Sequence, residues 1–420
     1  MSRRTRRAAS NAAVRGPLAL ILVLIVIIMA AMVFDVPAGF WHQPGLTELR
    51  TGVLEAMGLP LPTATAPPPP PPTATAPPPA TVSTPLPPAS STPPPPTSIP
   101  RATWYQVHFT TPTYPDTAAD HVGGIDEDLV QLIAGAQHSI DVAAYELDLE
   151  NIAAALLAAK QRGVTVRLVT DTDNLEEKAV QQLTQGGVPV VEDKRGAIMH
   201  NKFVIIDGHT VLTGSWNLTI NCTYRNNNNA IIIESEALAR NYQTEFAEMF
   251  EKQQFGPTSP RNTIQPQVTI DGTLVENYFA PEDKVSEKLV ALLGKAQKSI
   301  RFMAFSFTDD NIGEAMLQRA KAGVSVAGVF ERRGADTAHA EYPPMKQAGL
   351  DVLLDGNPYV MHHKVIIIDD SIVVTGSFNF TASADQSNDE NVLIIHSASV
   401  AQQYLEEYER VRQRALEAKP

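Results

Sequence analysis

The chain repeats itself at long range, and this restricts its architecture more than any other feature. Ala136-Gln-His-Ser-Ile140 recurs as Ala296-Gln-Lys-Ser-Ile300, and Asn151-Ile152 recurs as Asn311-Ile312. Arg162-Gly-Val-Thr-Val166 likewise returns as Ala322-Gly-Val-Ser-Val326, all at one offset of 160 residues. Solenoid repeats are far shorter, roughly 20–50 residues, so this is a duplicated domain. In the first copy Ile140–Leu147 and Val164–Val169 are strand-like, and Asn151–Arg162 is helical with Ala and Leu on one face. Closing helices are expected over about Glu236–Glu251 and Ser397–Leu416. Strands alternating with helices predict α/β layers around a mostly parallel or mixed sheet.

The region before the repeat is of another kind. Residues 1–16 hold five Arg and no acid, as a basic cytoplasmic tail would. Residues 17–36 follow, uncharged from Pro17 to Phe34. At about 1.5 Å of helix rise per residue this is just long enough to span a bilayer. Arg before the segment and Asp35 after it predict a single-pass anchor in the cell membrane, its N-terminus cytoplasmic and the body outside. The competing expectation is a cleaved signal peptide and a secreted body, but no Ala-x-Ala site follows. Residues 37–100 form a linker in which 18 prolines fall between Leu61 and Pro100. Such a composition favours extended polyproline II and builds no core.

Composition narrows the partners. The formal charge is −13, and the part after Pro100 carries 27 basic and 43 acidic residues, a net of −16. Nucleic-acid affinity rests on neutralising phosphates, so a body this acidic disfavours a nucleic-acid partner without excluding a local basic groove. One cysteine, Cys222, allows no internal disulfide, and nothing resembles a Cys/His zinc site.

Late in each copy stands the pattern His-x-Lys-x4-Asp-x6-Gly-Ser-x-Asn. It is carried by His200, Lys202, Asp207, Gly214, Ser215 and Asn217, then by His362, Lys364, Asp369, Gly376, Ser377 and Asn379. Residues i and i+2 of a strand point to one face, so His200 projects with Lys202 and His362 with Lys364, while Asn201 and His363 face away. The apolar runs 203–206 and 365–368 mark buried strands. Burying His and Lys without counter-charge is costly, and a phosphate would supply that counter-charge. Asp207 and Asp369 have the opposite parity and sit at tight turns, so they are expected to be structural. A hydroxyl and an amide at a strand end, as in Ser215/Asn217 and Ser377/Asn379, suit a phosphate pocket or its support.

These paired motifs resemble the phospholipase D superfamily, over about Trp104 to the end. The resemblance implies a duplicated α-β-α sandwich with pseudo-twofold symmetry, with halves at 101–262 and 263–420. It implies that both motifs meet at one site, so that a monomer suffices. One His would attack phosphorus and the other would protonate the leaving alcohol, with Lys202, Lys364, Asn217 and Asn379 holding the non-bridging oxygens. No cofactor or metal is implied. The family often has an acid after the motif that orients a catalytic His. Half two supplies Glu390 there, whereas half one has Asn228. Glu390 is therefore expected to serve one His only. The family tendency makes His200 the nucleophile, but the asymmetry leaves the opposite assignment open. Phospholipid hydrolysis is the expected activity, with nuclease action on DNA or RNA and cardiolipin synthase-like phosphatidyl transfer as alternatives.

Overall fold

The computed structural model describes residues 104–337 and 339–418. The expected anchor and linker lie outside the described residues. Among the described residues no helix is long and apolar enough to cross a membrane.

The first half runs β1 (Tyr105–Phe109), α1 (Ile125–Gly135), β2 (Ser139–Ala144), α2 (Glu150–Gln161), β3 (Thr165–Thr170), α3 (Lys178–Gln185) and β4 (Val190–Glu192). Strands β5 (Lys202–Ile206), β6 (Thr210–Gly214) and β7 (Asn229–Glu234) then lead into α4 (Glu236–Lys252). The second half opens with an additional strand, β8 (Gln267–Ile270), and then repeats the series. It continues as β9 (Thr273–Ala280), α5 (Val285–Leu293), β10 (Ser299–Ala304), α6 (Asp310–Lys321), β11 (Ser325–Phe330), α7 (Tyr342–Gln347) and β12 (Asp351–Leu354). It closes with β13 (Lys364–Ile368), β14 (Ile372–Gly376), α8 (Ala382–Gln386), β15 (Glu390–His396) and α9 (Ala398–Glu417).

The sheets are ordered β1-β7-β6-β5-β2-β3-β4 and β8-β9-β15-β14-β13-β10-β11-β12. Apart from β8 the two orders superpose strand for strand, which is the duplication seen as topology. In each sheet the three βα-connected strands run parallel and the hairpin strands antiparallel. Side-chain alternation along β5 splits the core: Phe203 and Ile205 face one layer, and Val204 and Ile206 face the other.

The layering differs from two independent sandwiches. Helices α1–α3 cover the outer face of one sheet and α5–α7 the outer face of the other. The inner faces share a single core with both closing helices. Leu238, Tyr242, Phe246 and Met249 recur every three to four residues along α4, as do Val400, Tyr404, Tyr408 and Val411 along α9. The stripe of α4 reaches the second half, where Tyr242 meets Phe279 edge-on at 5.2 Å. That of α9 reaches the first, where Tyr404 meets Phe109 at 5.1 Å. Each large ring so buried contributes on the order of 1.5–3 kcal/mol, so the halves are welded through their own closing helices. Ser235 and Ser397 cap these helices by accepting from Leu238 N and Val400 N.

The expected strand Ile140–Leu147 stops at Ala144. Beyond it the amide of Leu147 turns to Glu177 Oε2, at 2.6 Å, and leaves the ladder. Tyr145 N still bonds Asn201 O and Glu146 O accepts from Leu218 N, which sets both residues at the carboxyl end of a parallel strand, the usual place for a site in an α/β sheet.

Candidate active site

Two short parallel bridges cross between the halves just before each motif. Met199 pairs with Asp389, and Met361 with Asn227. His200 N donates to Asp389 O at 3.0 Å, and His362 N donates to Asn227 O at 2.9 Å. Each bridge sets an imidazole beside the residue that follows the bridging position in the opposite half.

Those next residues are Glu390 and Asn228. His200 Nδ1 lies 2.8 Å from both carboxylate oxygens of Glu390. His362 Nδ1 lies 2.9 Å from Asn228 Oδ1. The amide of Asn228 is oriented by its other bonds, since Nδ2 donates to Cys222 O and Oδ1 accepts from Ser215 Oγ. Ser377 Oγ donates in the same way to Glu390 Oε2. In both rings Nδ1 thus meets an acceptor, which puts a neutral ring's hydrogen on Nδ1 and its lone pair on Nε2.

Both rings line one cleft of about 520 Å³, with Asn217 and Asn379 on its wall. Lys202 and Lys364 are 2% and 1% exposed, and each donates to the carbonyl of its own His, at 2.7 and 2.9 Å. Their ammonium groups also lie over the rings of Tyr145 and Phe305, at 5.0 and 4.7 Å from the centroids. The same two rings meet His200 and His362 edge-on. Of the expected site residues, the His, Lys and Asn pairs therefore gather here. Ser215 and Ser377 stand behind the cleft, where they orient Asn228 and Glu390 and accept from the amides of Asn229 and Asn391. The same serines had suited a phosphate pocket in sequence. Gly214 and Gly376 permit this stacking: a Cβ would come within 2.3 Å of Asn229 O or 2.2 Å of Asn391 O.

Asp207 and Asp369 sit at the far ends of their strands. Asp207 accepts from the amides of Gln137, His138 and Ser139, and Asp369 from those of Gln297, Lys298 and Ser299. Both have positive φ, near 50°. They hold the hairpins to the helix–strand turns and do not line the cleft.

Burial governs the charges. It pushes Lys202 down to about 8 despite the opposing pull of Glu390 and Glu146. It holds Lys364 well below the usual ammonium range, with the charge of Lys202 adding to the shift. The imidazoles of His200 and His362 are depressed first by burial and then by the two lysines. Glu390 is raised by burial to about 8. A cleft in which two desolvated ammonium groups repel each other gains free energy when an anion enters between them. Among the described residues no group of three or more His, Cys, Asp or Glu side chains is placed to hold a metal ion.

Sequence reasoning passed over Tyr145, Glu146 and Phe305. Tyr145 and Phe305 are related by the repeat offset, and each follows the strand that pairs with a motif strand. That register was the available signal. Glu146 has no counterpart, since Ser306 occupies its place. Its carboxylate accepts from Asn217 Nδ2 at 2.7 Å.

The chain is 36% identical to a phospholipase D of Rickettsia prowazekii over 134 residues, which are 32% of this chain and 65% of that protein. It is 35% identical to a mitochondrial cardiolipin hydrolase of Xenopus tropicalis over 133 residues, 31% of this chain and 62% of that one. The match thus spans just under two thirds of each relative. Phosphatidylserine synthase of Haemophilus influenzae shares the fold, with a TM-score of 0.52 at 14% identity, over 74% of this chain and 86% of that structure. A family model described as cardiolipin synthase, PLD-like domain, matches residues 129–250 and again 289–412, more than half of the chain. A single family thus accounts for both copies of the repeat, and the chain belongs to the phospholipase D superfamily.

Proposed function

We propose that this protein is a phosphodiesterase of the phospholipase D type that cleaves a phospholipid through a phosphohistidine. The observation that carries the proposal is the pair of imidazoles on one cleft, each with Nδ1 held by a side chain at the equivalent position of the other half, beside two buried lysines.

In the first step His200 Nε2 attacks phosphorus. An N–P bond forms as the P–O bond to one alcohol breaks, and His362 Nε2 passes its proton to the departing oxygen. In the second step His362 takes a proton from water. The water oxygen attacks phosphorus, the N–P bond breaks, and a phosphomonoester leaves with His200 restored. Glu390 suits His200 to the nucleophile's role, because a carboxylate raises the basicity of the ring it holds. Asn228 is neutral and gives the imidazolium of His362 no anionic partner, which favours proton release. Lys202 and Lys364 each spend one N–H on a carbonyl and keep two for the non-bridging oxygens.

The relatives named phospholipase D and cardiolipin hydrolase support a lipid substrate, as does the acidic body, which disfavours a polyanion. Tethering to a membrane through residues 17–36, with the catalytic body extracytoplasmic, belongs to the same reading. The test is release of headgroup from phospholipid vesicles beside nicking of plasmid DNA, with His200→Ala and His362→Ala as controls. Lipid turnover lost in both variants, with the phosphoryl group trapped on His200, is the expected result. Nicking without lipid turnover would overturn the choice of substrate, and a phosphoryl group mapped to His362 would overturn the assignment of roles.

A further inference from the structure

The cleft departs from twofold symmetry on one wall. Glu146, Asp148 and Glu177 all line it from the first half. Glu146 and Asp148 have uncharged counterparts, Ser306 and Thr308, and the second half lends the cleft Phe305, Val360, His362 and Asn379 but no carboxylate. The nearby guanidinium of Arg225 is taken up by Asp116 Oδ2 at 2.8 Å and Asn221 Oδ1 at 2.7 Å. One side of an anion-binding site thus carries three carboxylates beside the buried lysines.

A second observation lies on the same wall. Asn217 is 4% exposed and gives Nδ2 to Glu146, which leaves Oδ1 buried with no hydrogen-bond partner among the described residues. Asn379 Oδ1, also in the cleft, is likewise unpartnered. An unpaired buried acceptor costs on the order of 1–3 kcal/mol, so this wall calls for a hydrogen-bond donor. The two aromatic faces that could receive a quaternary ammonium, those of Tyr145 and Phe305, are already used by Lys202 and Lys364.

Resting on the phosphodiesterase reading, we infer that the acidic wall recognises a primary ammonium on one alcohol of the diester, so that the preferred substrate class is an ethanolamine-type phosphodiester. A protonated amine supplies both the positive charge the carboxylates lack and the N–H donors the amide oxygens lack. A choline-type group supplies the charge alone, and a glycerol-type group brings no charge. A nucleic acid would bring further phosphates against the wall. Burial raises Glu177 to about 7, and the charges of Glu146 and Asp148 add to the shift.

The experiment compares kcat/KM for phosphatidylethanolamine, phosphatidylcholine and phosphatidylglycerol in mixed micelles, and for water-soluble glycerophosphoethanolamine and glycerophosphoglycerol. Wild type and a Glu177→Gln/Asp148→Asn double variant are measured together. The amides keep acceptors for the backbone N–H groups of Leu147 and Ile220, which these carboxylates now hold. The expected result is a preference for ethanolamine over glycerol diesters that falls about tenfold in the double variant. A merely structural role would lower both rates and leave their ratio unmoved, and that outcome overturns the inference, as does equal turnover of the two classes by wild type. A preference seen only in micelles assigns the lipid as the source of the ammonium, and one shared by glycerophosphoethanolamine assigns the headgroup chemistry itself. Calorimetric binding of glycerophosphoethanolamine against glycerophosphoglycerol needs no turnover. If no diester is cleaved, the phosphodiesterase reading fails, while selective binding lost in the double variant still supports the wall and equal binding overturns it.

Discussion

In the proposed mechanism, the difference between a carboxylate and a carboxamide partner at His200 sets the pH at which the ring can attack. Burial raises Glu390 to about 8 and depresses His200, so the two titrate as a unit. Below that pH the pair carries one proton too many, either on the carboxyl or on Nε2. Above it, a carboxylate faces Nδ1–H and Nε2 is free. Lys202, lowered to about 8, gives up its charge in the same range. With the nucleophile gained as the pair loses its proton, and with the proton on His362 and the charge of Lys202 lost as pH rises, kcat/KM is expected to follow a bell in a pH–rate profile, its acid limb set by the pair and its activity falling on the alkaline side of pH 8. Glu390→Gln removes the raised member of the pair. The acid limb should then move to lower pH while kcat drops by roughly 10–100-fold, as for other partners that orient a working imidazole. An acid limb that stays in place would show that the pair does not control it.

At the scale of the element, the motif strands serve two purposes at opposite ends. One end delivers the imidazole and the ammonium; the other is pinned by Asp207 or Asp369 to three consecutive amides. The aspartates should therefore matter for stability and not for chemistry. Asp207→Ala leaves three N–H groups without their acceptor and is expected to cost roughly 1–3 kcal/mol, seen as a lower Tm, with kcat per folded molecule preserved. The amides hold Asp207 below the usual carboxylate range. This contribution is therefore complete above the ordinary Asp value and fades as pH falls through the folded one. Strand parity and turn chemistry made much of this visible in the sequence, because a two-residue period and an Asp-Gly turn are local properties. The serines were harder. Their spacing placed them near the site, but whether a hydroxyl faces a substrate or a neighbouring side chain depends on Asn228 and Glu390, which lie a strand away. Glu146 was out of reach for a related reason: a strand expected to run to Leu147 conceals a residue that matters because the strand has already ended.

For the molecule as a whole, each half completes the other. The carboxylate on His200 comes from the second half and the amide on His362 from the first. The lock is repeated deeper down, where Asn391 Oδ1 accepts from Thr213 and Asn229 Oδ1 accepts from Thr375, again across the halves. Separately produced halves should show no phosphodiesterase activity, and each should expose its share of the inner core, measurable as binding of a hydrophobic dye. Activity in either half alone would contradict the crossed assembly. The duplication was legible from the repeat offset, but the merging of two inner faces into one core was not, since α4 and α9 are amphipathic in either arrangement. A perfectly doubled scaffold would receive a diester equally well in two poses related by a half-turn, and one of them would present the wrong oxygen for departure. Glu390 opposite Asn228, and Glu146 and Asp148 opposite Ser306 and Thr308, give the cavity a head and a tail. That ambiguity is thereby removed, and the differences between the two copies become the source of the cleft's sense of direction.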